Sequence, residues 1–316
     1  MHEPILRAAE SIVNADALLI TAGAGMGVDS GLPDFRGNEG FWKAYPPMRH
    51  LGLSFSEMAN PAWFHRDPAF AWGFYGHRLN LYRKTVPHVG FAILRTFTKR
   101  MTHEHFRSEA EEQSTRMTRA RTSAPEGQVL PAPTRHESFV FTSNVDGAFQ
   151  RAGFSSDRIA ECHGAIDYVQ CLTGCGAPTS RADDLMVDVD EETFRAKLPL
   201  PSCPRCGGIV RPNILMFGDS GWDDTRTTAQ ELAFESWLRE LPAEVRLVVV
   251  ECGAGTAIPT VRAVGDRLAR MRPRTSLIRI NVREPETRGQ IEIALGAKAA
   301  LEQIDAQLQT STRLGD

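Results

Sequence analysis

Residues 17–37 read ALLITAGAGMGVDSGLPDFRG, an apolar run that leads directly into a cluster of glycines. Ala17 to Thr21 forms a short apolar run of strand type, and Gly23, Gly25 and Gly27 follow it at once. Because glycine carries no side chain, backbone amides in such a turn can approach a ligand closely. The stretch therefore predicts a strand that ends in a phosphate-binding loop.

Three further strands are predicted downstream, at Ser138–Thr142, Arg246–Glu251 and Leu277–Asn281. Helical patterns lie before, between and after them. The first predicted helix has apolar residues on one face at Ile5, Leu6, Ala9, Ile12 and Val13. This alternation indicates a mostly parallel sheet covered by helices on both faces, with ligands at the carboxyl ends of its strands.

The length and composition are those of a globular protein, with 316 residues of which 42% are hydrophobic. A net charge of −3 argues against a protein that coats nucleic acid, and no apolar run approaches the roughly 18 residues of a membrane span. The start MHEPILRAAE has neither the basic end nor the apolar core of a signal peptide. We therefore expect a cytoplasmic protein without nucleic-acid or membrane partners.

Residues from about Met101 to Glu137 depart from the pattern of strands and helices. They are rich in Glu, Arg, Ser, Thr and Pro and carry few large apolar side chains. Such a segment cannot offset its ordering entropy by burial, so we interpret it as a surface insertion. A role as an arm that docks a partner remains an alternative.

Four cysteines fall in two close pairs, C-x3-C at Cys171 and Cys175 and C-x2-C at Cys203 and Cys206, the second followed by Gly-Gly. Four thiolates at such spacings can surround one tetrahedral zinc ion. Two disulfides, or four unrelated buried thiols, are the alternatives. Disulfides need an oxidising compartment, so we favour zinc.

The glycine-rich loop continues as SGLPDFRG. Pro33 fixes the backbone, and Asp34 and Arg36 place opposite charges on either side of Phe35. Such a loop could bind a polar sugar beneath the movable aromatic ring of Phe35. An ordinary turn with an Asp–Arg pair is the alternative.

The chain resembles the sirtuins, the NAD-dependent protein deacylases, in seven motifs that occur in the same order. They are GAGMGVDSGLPDFRG, TSNVDGAFQRAG, ECHGAIDYVQC, the two cysteine pairs, VRPNILMFGD, CGAGTAIP and LIRIN. The resemblance implies an α/β fold with a Rossmann-like parallel-sheet domain at 1–37, 83–160 and 211–316. It also implies a smaller zinc-binding and helical domain at 38–82 and 161–210, with NAD and an acyl-lysine peptide in the cleft between the domains.

The resemblance further implies roles for individual residues. His163 would be the catalytic base, since an imidazole titrates near neutral pH. Asn144 and Asp146 would orient the nicotinamide ribose and a water; without the resemblance, they fit a strand-end turn equally well. The residues expected at NAD are Gly23, Ala24, Gly25, Asp34, Phe35, Arg36, Ser143, Asn144, Asp146, Gly253, Gly255, Thr256 and Asn281.

The expected reaction removes an acyl group from a protein lysine and yields nicotinamide and O-acyl-ADP-ribose. Zinc would serve the fold, because four protein ligands leave no open coordination site. ADP-ribosyl transfer or NAD hydrolysis is one alternative, and a non-catalytic NAD-sensing module is another. The sequence leaves the oligomeric state open.

Two segments bear on the acylated substrate. Tyr75 and Arg78 lie at i and i+3 of a predicted helix, where a phenol and a guanidinium can converge on a carboxylate. This pair resembles the Tyr-x-x-Arg signature of the sirtuins that remove succinyl and malonyl groups; a packing Tyr beside a surface Arg is the alternative. Phe217, Gly218 and Asp219 match the segment that pairs with the substrate backbone as an added strand.

Three positions depart from the usual family pattern. Ser143 replaces a Gln, Gly27 replaces a Ser and Phe149 replaces a His. CGAGTAIP also differs from the commoner form of that motif. The changes touch turns at the cofactor rather than the base, so we expect NAD binding to persist and leave the rate and acyl preference open.

Overall fold

The structure is a computed structural model that describes residues 2–33, 37–99 and 138–314. The side chains of residues 37–39 and 311–314 are outside the description. The expectations for Asp34, Phe35 and Arg36, and for the insertion at 101–137, therefore fall on residues outside the described part.

The strands of the described part are short and mostly buried. In chain order they are β1 (Ala17–Ala22), β2 (Phe139–Thr142), β3 (Ile159–Glu161), β4 (Gly164–Cys171), β5 (Ser180–Arg181), β6 (Val189–Asp190), β7 (Arg195–Ala196), β8 (Val210–Ile214), β9 (Leu247–Cys252), β10 (Thr275–Ile280) and β11 (Ile291–Ile293).

Helices precede, connect and follow these strands. They are α1 (His2–Val13), α2 (Gly25–Val28), α3 (Gly37–Ala44), α4 (Pro46–His50), α5 (Phe55–Met58), α6 (Ala62–Arg66), α7 (Pro68–Lys84), α8 (residues 89–99), α9 (Ala148–Arg151), α10 (Thr225–Glu240), α11 (Thr260–Met271) and α12 (Ala297–Leu314). Within the described residues, no helix combines the length and apolar character that a membrane span needs.

Six parallel strands form the central sheet in the order β11-β10-β9-β1-β2-β3. The predicted parallel sheet is confirmed, and all four predicted strands are present with ends shifted by a residue or two. Strands β1 to β3 extend the sheet in one direction and β9 to β11 in the other. The order therefore reverses between β1 and β9, which is where ligands bind in open α/β sheets.

Both faces of the sheet are covered by apolar layers. In β1, Leu18 and Ile20 join the layer that includes α1 and α12, whereas Leu19 joins the layer of α10 and α11. The buried stripe of α1 consists of Ile5, Ala8, Ala9 and Ile12. Leu6 and Val13, which we expected on the same face, are 42% and 51% exposed, because they flank this stripe.

A second, smaller lobe has its own core. Aromatic residues from α3 to α7 share one cluster with residues from β4, β8 and the cysteine pairs. Gly73 on α7 allows this contact, since a Cβ there would lie 2.0 Å from the backbone oxygen of Phe194. One core thus joins the helical and cysteine-bearing segments.

The expected domain limits remain predictions. The limit at 82/83 falls within α7, and β8 begins at Val210, one residue before the limit at 210/211. Strand β8 pairs with β4 in the small lobe, so the chain returns to the sheet lobe only after this strand.

Candidate functional site

A cavity of about 630 Å³ lies between the two lobes, at the carboxyl ends of β1, β2 and β9. Its walls come from the loops after those strands, from residues 283–284 after β10, and from small-lobe residues on α7 and in 214–217. The cavity has the size of a small-molecule site and lies at the reversal point of the sheet.

The glycines of the first loop bring two loops together at the floor of this cavity. The amides of Gly23 and Gly25 donate to the carbonyls of Cys252 and Gly253, each at 3.0 Å, and the amide of Gly253 donates to Ile280 at 2.8 Å. A Cβ on Gly23 would lie 2.7 Å from Cα of Ala254. Backbone carbonyls thus accept from these two amides, and the interpretation that amides of this loop approach a ligand stays a prediction for the rest of the loop.

Gly23, Ala24 and Gly255 nevertheless line the cavity, whereas Gly25 and Gly253 lie behind its wall. The loop after β9 turns at Gly253 with φ +64°. A Cβ there would be 2.4 Å from the backbone of Gly25. The lack of side chains thus permits two loops to touch, and this contact forms the cavity floor.

His163 lies between β3 and β4 and lines the cavity. Its carbonyl accepts the amide of Leu215 at 3.0 Å, and the following Gly164 has φ +75° and packs against the carbonyl of Asn213. Burial lowers the pKa of the ring, and a hydrogen bond to the backbone of Ser143 acts in the opposite direction. The imidazole is thus held at the cavity in the form that can accept a proton near neutral pH.

Asn144 faces the same cavity from the end of β2, beside Ser143. Its side-chain amide donates to the carbonyl of Gly23 at 3.0 Å, which ties the loops after β1 and β2 together. Asp146 is 7% exposed and is not part of the cavity wall. Its carboxylate accepts the amide of Ala148 at 2.9 Å, and burial raises its pKa.

At the far end of the cavity, Glu284 holds the loop after β9. Its carboxylate accepts the amide of Thr256 at 2.8 Å and the hydroxyl of Thr256 at 2.7 Å. Asn281 is buried behind this wall, where its amide donates to Ala254 at 2.7 Å and its oxygen accepts the amides of Arg283 and Glu284. The sequence reasoning missed Glu284; the charged run VREPE after β10 was the available signal.

The segment from Phe217 to Asp219 divides between surface and interior. Phe217 lines the cavity and is 42% exposed. The Asp219 carboxylate accepts hydrogen bonds from both terminal nitrogens of Arg211. The side chain of Asp219 is 0% exposed and that of Arg211 is 2% exposed. Asp219 also accepts the amides of Met216 and Gly221, so its carboxylate fixes the turn that presents Gly218 at the surface.

Tyr75 and Arg78 project from α7 into the cavity wall, on one helical face as predicted. Among the described residues, the buried hydroxyl of Tyr75 has no hydrogen-bond partner, and burial raises its pKa to about 12. A third residue of α7, Tyr82, also lines the cavity and accepts from Arg78. The sequence reasoning missed Tyr82, although it lies at i+4 from Arg78.

The four thiols of Cys171, Cys175, Cys203 and Cys206 lie within 4.8 Å of one another. The Sγ atoms of Cys171 and Cys206 are 3.6 Å apart, as are those of Cys175 and Cys203, and all four cysteines are unbonded. A disulfide has an S–S length of about 2.05 Å, so these separations favour a shared ion over two disulfides. Four converging thiols at such separations fit a tetrahedral Zn²⁺.

The thiols are remote from His163. Strand β4 runs from Gly164, next to His163, to Cys171. Gly164 pairs with Ile214 and Cys171 with Val210, four residues apart on β8, so at about 3.3 Å per residue the two ends of β4 lie roughly 13 Å apart. A metal at the thiols is thus too distant to polarise a substrate at the cavity.

Comparison with known proteins gives consistent matches. The model of the Sir2 family matches residues 128–236. NAD-dependent protein deacylase 1 of Caldanaerobacter subterraneus subsp. tengcongensis is 29% identical over 224 residues, which cover 71% of this chain and 70% of that protein. The mitochondrial NAD-dependent protein deacylase sirtuin-5 of Danio rerio is 27% identical over 233 residues, covering 70% of this chain and 63% of that protein.

Solved structures match over nearly the full length. A mutant Sir2 homologue in complex with ADP-ribose has a TM-score of 0.63 at 21% identity and covers 99% of both chains. A complex of a Sir2 homologue with NAD has a TM-score of 0.61 at 21% identity and covers 98% of this chain and 95% of that chain. The fold of the two-lobed chain is therefore that of these structures.

Proposed function

Because this chain belongs to the sirtuin family, we propose that it is an NAD-dependent protein-lysine deacylase. The observation that carries the proposal is the meeting of three groups at one cavity. These are the ring of His163, the strand-end amide of Asn144, and the Tyr75–Arg78 pair on α7. A base, an orienting amide and a pair suited to an acyl group thus converge between the lobes.

The cavity suits NAD in size and position. It lies at the reversal point of the sheet, between the loops after β1 and β9. Ala24, Gly255 and Thr256 would hold the phosphates and adenosine, and Ser143 and Asn144 would hold the nicotinamide ribose. Asn281 would act indirectly, by fixing the loops that carry Ala254 and Glu284. Bound NAD would supply the ADP-ribosyl group that accepts the acyl group.

His163 would accept a hydroxyl proton during acyl transfer. A base must be neutral to do so, and burial keeps the pKa of this ring below its ordinary value. Its hydrogen bond to the Ser143 backbone restrains the ring at the end of β2. Positioning of this kind supplies much of the rate in acyl transfer.

Zn²⁺ would bind Cys171, Cys175, Cys203 and Cys206 and stabilise the small lobe. Four thiolates fill its coordination sphere, so no open position remains for substrate. The cysteine-bearing segment shares its core with α7. Zinc would thus hold the helix that carries Tyr75 and Arg78 without taking part in the chemistry.

The acyl group that fits best is an acidic one, such as succinyl or malonyl. The buried hydroxyl of Tyr75 has no partner among the described residues and lies on the cavity wall beside a guanidinium. A ligand carboxylate would accept from both groups. The substrate would be an acylated lysine in a protein or peptide, next to the exposed Phe217 and Gly218; a solved Sir2 structure with a p53 peptide and NAD shares this fold with a TM-score of 0.58.

The test is a panel of acetyl-, malonyl-, succinyl- and long-acyl-lysine peptides of one sequence, incubated with NAD and followed by mass for O-acyl-ADP-ribose. We expect turnover with a preference for acidic acyl groups. His163→Ala should abolish turnover while leaving the fold and zinc content intact. Nicotinamide release that needs no acyl peptide would instead indicate ADP-ribosyl transfer or NAD hydrolysis.

A second variant tests the acyl preference separately. Arg78→Met removes the guanidinium and keeps an apolar side chain of similar length. It should weaken succinyl-peptide turnover much more than acetyl-peptide turnover. Equal losses on both peptides would remove the acidic acyl group from the proposal but leave deacylation in place.

A further inference from the structure

Tyr82 shares one stripe of α7 with Tyr75 and Arg78. The three residues lie at i, i+3 and i+7, so their side chains point to the same side of the helix. Tyr82 is 4% exposed, and all three residues line the cavity. Its buried position beside Arg78 gives it a direct influence on the guanidinium.

The hydroxyl oxygen of Tyr82 accepts two hydrogen bonds from Arg78, from Nε at 3.0 Å and from Nη2 at 2.8 Å. Nε and Nη2 form one edge of the planar guanidinium. Tyr82 therefore fixes both the plane and the direction of this side chain.

Tyr82 fixes Arg78 without cancelling its charge. Burial raises the pKa of Tyr82, so the phenol stays neutral. The rings of Phe74 and Tyr82 lie 5.3 Å and 5.4 Å from the Arg78 Cζ, where aromatic faces favour a cation. A carboxylate in the place of the Tyr82 hydroxyl would hold the guanidinium equally well but would neutralise it toward an incoming anion.

We propose that Tyr82 is a positioning residue that sets the acyl preference of this site, by holding the Arg78 guanidinium ready for the terminal carboxylate of a succinyl or malonyl group. The inference rests on the proposed deacylase function. It adds that the preference depends on a neutral hydrogen-bond acceptor at residue 82 as well as on Arg78 and Tyr75.

The experiment measures equilibrium binding of succinyl-lysine and acetyl-lysine peptides of one sequence by fluorescence anisotropy, so that it does not depend on turnover. Tyr82→Phe removes the acceptor and should lower the succinyl-over-acetyl affinity ratio about tenfold, which corresponds to about 1.4 kcal/mol. The acetyl affinity should stay within about twofold. In turnover of the same peptides, the loss should appear in KM rather than in kcat.

Two variants separate the acceptor from general packing. Tyr82→Gln supplies a different neutral acceptor and should keep part of the preference. Tyr168→Phe removes a hydroxyl from β4 of the small lobe, where it accepts from Nη1 of Arg181 at 3.4 Å rather than lining the cavity. It should leave the ratio unchanged, and thermal melting checks that each variant folds.

The outcomes are distinct. The role of Tyr82 is overturned if the succinyl-over-acetyl affinity ratio of Tyr82→Phe lies within twofold of that of the unmodified protein. It is also overturned if Tyr82→Phe and Tyr82→Gln lower this ratio equally. Either result leaves the deacylase proposal intact. Equal binding of both peptides by the unmodified protein overturns this inference together with the acidic acyl preference. A preference that Tyr82→Phe lowers supports the inference even if the protein proves inactive with NAD.

Discussion

Replacing Gly253 by alanine should destabilise the protein through two separable effects. The first is conformational, because Gly253 has φ +64°, where an L-residue is unfavourable by roughly 1–2 kcal/mol. The second is steric, because a Cβ would lie 2.4 Å from the carbonyl carbon of Gly25 and 2.4 Å from the amide nitrogen of Met26. Backbone atoms cannot rotate aside as a side chain can, so the two loops must separate.

The steric effect can be estimated from what separation breaks. Relief of a 2.4 Å contact needs a shift of about 1 Å, which would break the hydrogen bond of 3.0 Å from the Gly25 amide to the Gly253 carbonyl. Overpacking costs roughly 1–3 kcal/mol and the lost hydrogen bond about 1 kcal/mol. Together with the conformational effect, the free energy of unfolding should fall by about 3–6 kcal/mol.

Gly52→Ala is the matched control. Gly52 has φ +67°, close to that of Gly253, but nothing lies within 4 Å of a Cβ built there. It therefore carries the conformational effect alone. With an unfolding entropy of about 2.1 cal/mol/K per residue over 316 residues, Gly253→Ala should lower the melting temperature by about 7 °C and Gly52→Ala by about 2 °C.

Calorimetric melting and NAD titration give the two readouts. Gly253→Ala should also weaken NAD binding, since residues 254–258 of the shifted loop line the cavity. Gly52→Ala should bind NAD as the unmodified protein does. If both variants melt at the same temperature, the two loops do not depend on each other in the way that the structure indicates.

Three further predictions concern the base, the thiols and a buried ion pair. Burial lowers the pKa of His163 below its ordinary 6.5, so its neutral form persists to lower pH and the acid limb of the kcat/KM profile should lie below 6.5; a limb at higher pH would contradict the assignment. Treatment with a zinc chelator should lower the melting temperature and remove about one zinc per chain by elemental analysis, because four thiols within 4.8 Å hold the small lobe together; an unchanged melting curve would exclude a structural metal. Asp219→Asn should lower the free energy of unfolding by about 3–5 kcal/mol, because it leaves the buried Arg211 without its carboxylate. Asp183→Asn, in an exposed pair with Arg181, should change melting little, and similar effects of the two would refute the importance of burial.

The strands and the cysteine cluster could be predicted because their signals are local. Strand β1 is an apolar run that is buried along its entire length. Such a run indicates a buried strand even when the strands on either side of it are not known. Two cysteine pairs need only one ion to bring them together, and their spacing already suits it. Predictions of this kind depend on a few consecutive residues, which the sequence displays directly.

The role of the glycines could not be predicted in the same way. Gly23 and Gly253 belong to loops far apart in sequence, and only the pairing of β1 with β9 places them in contact. A glycine that lets a ligand approach and a glycine that lets another loop approach have the same local sequence. Knowledge of the strand order is needed to distinguish them.

Helix α7 shows that local sequence is also insufficient to predict the roles of side chains. Ten of its seventeen residues are buried, on nearly every side, because it packs against the small-lobe strands and also borders the cavity. Its apolar pattern therefore does not indicate which face meets the cavity. A family signature could select Tyr75 and Arg78, but Tyr82 is identified only by its two hydrogen bonds to the guanidinium. For a helix buried on all sides, the residues that determine specificity are found from contacts, and the binding ratio of Tyr82→Phe is the measurement that tests this one.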